Sequence, residues 1–170
     1  MTTLRPRYAA LIAVALGTLL SGCITSKDAK FPMSSAVALF GDGGKYKVFD
    51  RVDDKYIEND DAEIKKRADG SYDFVMQGND PTAVTVHKVE GDLYVVQSKK
   101  RNADAYDYLL IRQAGAEFFT HAPDCNKQDK AKMAGVEIKK DECRIDGVTD
   151  PVKFFAGLNK GEPTAKLVRQ

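Results

Sequence analysis

The sequence predicts a mainly β domain, an antiparallel meander curled into a barrel or doubled into a sandwich, with one or two short helices. Three observations predict it. From Ala36 onward, apolar residues recur mostly with a period of two. Turn signals interrupt these runs roughly every 8–12 residues. The clear helix start comes late, near residues 150–159.

Ala36 to Phe40 is a short apolar run closed by Gly41-Asp42-Gly43-Gly44. Tyr46 and Val48 then alternate with Lys45 and Lys47. Glu63 to Arg67 pairs with Tyr72 to Gln77 across Asp69-Gly70, a strong turn signal. Ala83 to Val89 and Leu93 to Ser98 form a hairpin around Glu90-Gly91-Asp92, and Tyr106 to Arg112 and Ala116 to His121 form another around Gln113-Ala114-Gly115. Leu109-Leu110-Ile111 and Phe118-Phe119 put bulky groups on both faces of their strands, which calls for a cover on each side. Asp150 is a good N-cap and Pro151 suits the first helical position. Val152, Phe155 and Leu158 then line one side of a helix, with Phe154 beside them and Gly161 as a stop signal. This helix is expected to lay its Phe pair near Phe118 or Phe119. Ala165 to Val168 reads as a last strand.

Length and composition bound the function. The chain has 170 residues, 43% hydrophobic and 30% charged, which suits one folded domain and excludes wholesale disorder. The 26 basic and 25 acidic residues nearly cancel, so the basic excess of a nucleic-acid binder is missing.

The N-terminus carries an export signal. Arg5 and Arg7 precede Tyr8 to Leu20, 13 mostly apolar residues. That is shorter than the roughly 20 needed to span a bilayer and fits a signal peptide. Leu20-Ser21-Gly22-Cys23 follows at once and resembles the lipobox of bacterial lipoproteins. The resemblance covers this segment only. It implies cleavage before Cys23, a diacylglycerol thioether on the Cys23 sulfur, and often acylation of the new amino group. The partner so implied is a membrane, held through the acyl chains on Cys23. Ile24, where an Asp would resemble an inner-membrane retention signal, implies the outer membrane with the domain in the periplasm. Residues 1–22 are then a signal peptide, 23–35 a lipid-anchored tether, and 36–170 a single β-rich domain. As a tether, Thr25 to Ser35 would reach about 35–40 Å when extended.

Lipidation of Cys23 leaves Cys125 and Cys143. In an oxidising compartment two remaining cysteines pair, and closing this loop is worth roughly 3 kcal/mol in the chain-entropy model. The enclosed Lys-rich segment has room for a short helix at Gln128 to Ala134. A metal site of His121, Cys125 and Cys143 competes poorly, because no C-x-x-C spacing occurs. A redox cysteine fails on the same ground.

Other groups read as structural. Asp50, Asp53, Asp54, Glu58, Asp60, Asp61 and Glu63 lack the order of an EF-hand loop and suit a solvated loop or edge between strands. Lys99-Lys100-Arg101 is followed by Asp104 and Asp107 and reads as a solvated hairpin end. Gly41-Asp42-Gly43-Gly44 lacks the P-loop ending. His87 is expected on a partly exposed face. Neither G-x-S-x-G nor H-E-x-x-H occurs, so no catalytic residue, metal or cofactor is assigned.

The expectation is a lipid-anchored envelope binding or docking domain without enzymatic activity. The alternatives are a carrier or sensor of a hydrophobic ligand and an inhibitor of a hydrolase that attacks the envelope. An open sheet edge would favour docking, whereas a cavity of several hundred Å3 would favour the carrier.

Overall fold

The computed structural model describes residues 24–139 and 142–170. The signal segment and Cys23 lie outside the described residues. The strands are β1 (Ile24–Ser26), β2 (Gly43–Val52), β3 (Lys55–Lys66), β4 (Tyr72–Met76), β5 (Thr82–Glu90), β6 (Leu93–Lys99), β7 (Tyr106–Ala114), β8 (Glu117–His121), β9 (Glu137–Lys139), β10 (Glu142–Arg144) and β11 (Ala165–Arg169). Among the described residues one α-helix, α1, runs from Pro151 to Gly157.

Eight strands close into an antiparallel barrel in the order β2-β3-β4-β5-β6-β7-β8-β11, with β11 returning to β2. Of the two expected architectures the barrel is the one formed. Register shifts at Val48/Phe49 and Lys88/Glu90 place irregularities where strands must bend. The C-terminal strand β11 slots between β2 and β8 and closes the ring. The hairpins expected around Asp69-Gly70, Glu90-Gly91-Asp92 and Gln113-Ala114-Gly115 all form.

Alternation fills the interior. Tyr46, Val48, Ile64, Tyr72, Val86, Val96, Leu109, Ile111, Phe118 and Leu167 are buried together. Phe40 enters from the loop before β2 and closes that end. Its ring lies 4.9 Å from Phe118, 5.5 Å from Tyr72 and 5.9 Å from Tyr46. Such contacts add to the burial of large rings.

A second core lies outside the barrel wall. Phe154, Phe155 and Leu158 cover Tyr108, Leu110, Leu93 and Val95, with Phe31 inserted beside them. Asp150 caps α1 by accepting from the Lys153 amide at 2.9 Å, as its sequence signal predicts. The helix target differs from expectation. Phe155 packs on Phe31 and Tyr108, at 5.8 and 5.6 Å, whereas Phe118 faces the barrel interior. Phe119 is covered by Tyr56, 6.0 Å away, and not by α1. Both sides of Leu109-Leu110-Ile111 are covered, with Leu109 and Ile111 inside and Leu110 beneath the helix layer. Val152 is exposed, so the apolar side of α1 is carried by Phe154, Phe155 and Leu158.

The stretch expected as a tether is part of the folded body. Ile24, Thr25 and Ser26 are buried in β1, which lies between β7 and β10. Phe31 is buried, and Gln97 holds its backbone from both sides: the Phe31 amide donates to Oε1 at 3.0 Å, and Nε2 donates to the Phe31 carbonyl at 3.1 Å. The Lys30 amide donates to the Tyr108 hydroxyl at 3.0 Å. The polar composition of this stretch concealed two apolar anchors, Ile24 and Phe31, and polar atoms that pair with the barrel wall.

The acidic stretch is also ordered. It supplies the last three residues of β2 and the first nine of β3, strands of 10 and 12 residues, and is not a loop. Carboxylates are poor strand formers by propensity. Here Asp53, Asp54, Glu58 and Asp61 are exposed, and the charge is partly neutralised, with Lys47 2.6 Å from Glu58 and 3.2 Å from Asp61. Asp53 and Asp54, with φ of 47° and 62°, make the two-residue turn between the strands.

Candidate functional site

The first described residue, Ile24, is buried in a region built on β1, β10 and β9. Ile24 pairs with Tyr108 on one side and with Cys143 on the other. Cys143 forms the expected disulfide with Cys125, with a Cα separation of 5.7 Å. The staple therefore ties the Cys125–Lys127 turn to β10, the strand that pairs with β1. Ile24 has a packing role of its own here, independent of any sorting signal.

The stapled segment is irregular. In place of a helix over 128–134 there are two 3-10 turns, Cys125–Lys127 and Lys130–Lys132. Asp124 and Asp129 cap them by accepting from the Asn126 and Ala131 amides at 2.9 and 3.0 Å. Gly135 and Gly147 touch backbone to backbone, leaving no room for a Cβ at Gly135.

The two histidines are buried apart from one another. His87 is 1% exposed, contrary to expectation, because the 31–36 segment lies over it. Its ring stacks on Phe31 at 4.8 Å. Its Nδ1 is 2.9 Å from the Ser35 hydroxyl and its Nε2 2.8 Å from the Thr85 hydroxyl. Burial pushes its pKa below the ordinary value, opposed by the contact with Ser35. His121 is buried at the end of β8, with no hydrogen bond to either ring nitrogen among the described residues. Burial lowers its pKa too; the backbone at Gly161 and Lys160 opposes this, and the Arg112 and Lys160 charges add to it. His121 and the two cysteines do not form a metal site. Both thiols are consumed in the disulfide.

The remaining candidates are placed as follows. Lys100 bridges Asp107 at 3.2 Å and Glu142 at 3.7 Å, tying the β6–β7 loop to β10. Burial raises the Asp107 pKa, and the Lys100 charge opposes that. Lys99 pairs with Asp104, and Arg101 contacts Asp80 and Thr82. The basic run is thus engaged within the chain. Gly41 and Gly43 shape the entry to β2, and the Gly41 carbonyl accepts from the Tyr72 hydroxyl at 2.9 Å.

The most open feature is one the sequence reading missed, the arm formed by the distal halves of β2 and β3. Strand β4 pairs with β3 only over Ala62–Lys66. Among the described residues no strand pairs with the other edge of Lys55–Asp60. By register, Val52 and Ile57 share one face of the arm, 48% and 54% exposed. Asp50 lies on that face, where Asn59 Nδ2 donates to its Oδ2 at 2.7 Å. Burial raises the Asp50 pKa; the Asn59 bond opposes this and the Asp60 charge adds to it. Asp60 Oδ2 is buried without a hydrogen bond among the described residues. A crevice of about 300 Å3 opens where β4 ends, lined by Asp61, Glu63, Val75, Met76 and Gly78 among others. The signal available in the sequence was the Asp53-Asp54 pair between Tyr46–Val48 and Ala62–Ile64, two apolar-alternating segments.

Two other crevices are present. One of about 490 Å3 lies between α1 and the 131–134 turn, over Phe154 and Val148. Another of about 220 Å3 lies at the barrel end beside Phe40, Gln113 and Arg169. Comparison of the chain with protein-family models, with curated proteins and with solved structures gave no match in any of the three.

Proposed function

We propose that this chain is a lipid-anchored docking domain of the bacterial cell envelope, held at the outer membrane through Cys23 and facing the periplasm. The observation that carries the reading is Leu20-Ser21-Gly22-Cys23 directly after a 13-residue apolar segment. The placement of Ile24 adds to it. With β1 starting one residue after Cys23, lipidation would hold the barrel against the bilayer, where anchoring raises its effective concentration toward neighbouring envelope proteins.

The open edge of β3 supports docking over the carrying of a hydrophobic ligand. The barrel interior is occupied by the chain's own side chains, with Phe40 inserted at one end. The crevice of about 220 Å3 at the barrel end stops against these side chains, at Phe40, Tyr46 and Phe118.

The test is metabolic labelling with an alkyne-bearing fatty acid, followed by membrane fractionation. The wild-type protein should incorporate label and sediment with outer membrane, and Cys23→Ala should do neither. Equal labelling of the two proteins would remove the lipoprotein reading.

A further inference from the structure

The β2–β3 arm has three properties that belong together. First, the outer edge of Lys55–Asp60 is unpaired, so its backbone amides and carbonyls offer a template for an added strand. Second, the arm is strongly acidic: residues 50–63 hold seven carboxylates against two bases, Arg51 and Lys55. Third, Val52 and Ile57 expose apolar surface beside that edge.

Strand order places this arm away from the anchor. In the ring of eight strands, β3 is four steps from β7 in either direction, and β1 leaves the barrel from β7. A domain held at Ile24 would therefore turn β3 away from the bilayer. Glu58 and Asp61 share Lys47, Asp54 pairs with Arg51 and Glu63 with Lys65, which leaves Asp50, Asp53 and Asp60 without an ion pair among the described residues. Asp60 Oδ2, buried without a partner among the described residues, adds an unsatisfied acceptor at the base of the arm.

We propose that the Lys55–Asp60 edge is the docking site, and that it takes a basic extended segment of a partner protein as an added antiparallel or parallel strand. Backbone bonds supply the seat, Ile57 and Val52 an apolar contact, and the carboxylates the preference for Lys or Arg. Charge argues against a second copy of this chain, because pairing two arms would bring like charges together. The inference rests on the docking reading above and gives the partner its chemistry.

The test uses the full-length protein in nanodiscs. The probe is a fluorescent octapeptide of alternating lysine and valine, with a glutamate–valine peptide as control. The lysine peptide should bind, weaken as salt is raised, and slow amide exchange at Lys55–Asp60 at least tenfold. The control should leave those amides unchanged. Ile57→Lys should weaken binding at least tenfold, and Ile57→Glu, at the same exposed position, should not. Equal loss in the two variants, or protection elsewhere, overturns the proposal. In cells, a photocrosslinking residue is placed in turn at Ile57, Val152 and Met33, all exposed. Crosslinks to a basic segment from Ile57 alone support the site. A partner captured only from Val152 or Met33 leaves the docking reading standing and overturns this one. A self-crosslinked dimer through Ile57 overturns the basic partner.

Discussion

Ile24 lies directly beside Cys143 in parallel strands, so β1 is joined in register to one half of the disulfide. The Cys125–Lys127 turn, β10 and β1 are thus one structural unit. Reducing the disulfide, or replacing both cysteines with serine, should destabilise the domain by roughly 3 kcal/mol. The loss should appear first as faster amide exchange in β1 and β10. Thermal melts with and without reductant, with exchange measured at Ile24–Ser26, check this.

Acidification should destabilise the fold through the histidines. Both His87 and His121 have pKa values lowered by burial. The unfolded chain then binds protons that the folded chain refuses, so stability is full above the unfolded histidine pKa, about 6.5, and falls as pH drops through it. Asp50 and Asp107 act with the opposite sign, since burial raises their pKa values, and they soften the loss at lower pH. The melting temperature should therefore drop between pH 7.5 and 5.5. His121→Leu removes two unsatisfied ring nitrogens and should shrink that drop while leaving stability at pH 7.5 equal or higher.

Phe40→Ala should open one end of the barrel. The ring touches Tyr46, Tyr72 and Phe118, and removing a buried aromatic of this kind costs about 3–5 kcal/mol. Chemical denaturation should show that loss, with the near-ultraviolet signal of the surrounding tyrosines reduced before the melt.

Gly43→Ala should be poorly tolerated. Gly43 has φ of +93°, and a Cβ there would collide with the Ile64 carbonyl oxygen. The backbone strain and the lost approach of β2 to β3 together predict a loss of about 2 kcal/mol or more. Gly41→Ala, where a Cβ meets nothing within 4 Å, should lose only the part that comes from positive φ. The difference between the two melts isolates the collision.

Most of the barrel was legible along the chain because strand alternation and turn chemistry are local. Tyr72, Phe74 and Met76 announce their shared face, and Asp150-Pro151 announces α1. The misreadings have one cause: a residue's environment can be set by a segment distant in sequence. Thr25–Ser35 looks like solvated linker until Gln97 and Tyr108 supply its hydrogen bonds from 66 and 78 residues away. His87 looks half-exposed until Phe31 stacks on it. Asp50–Glu63 looks like a loop because propensity disfavours carboxylates in strands, yet cross-strand pairing and outward projection make them acceptable.

By itself, then, the sequence determined the order of strands and turns and the helix cap, both carried by neighbouring residues. Tertiary structure alone decided that the sheet closes as a barrel, that β11 fills the gap between β2 and β8, that β1 docks beside the disulfide, and that one edge of β3 stays open. Each of these depends on which distant strand edges find partners, and backbone hydrogen-bonding groups are the same in every residue except proline.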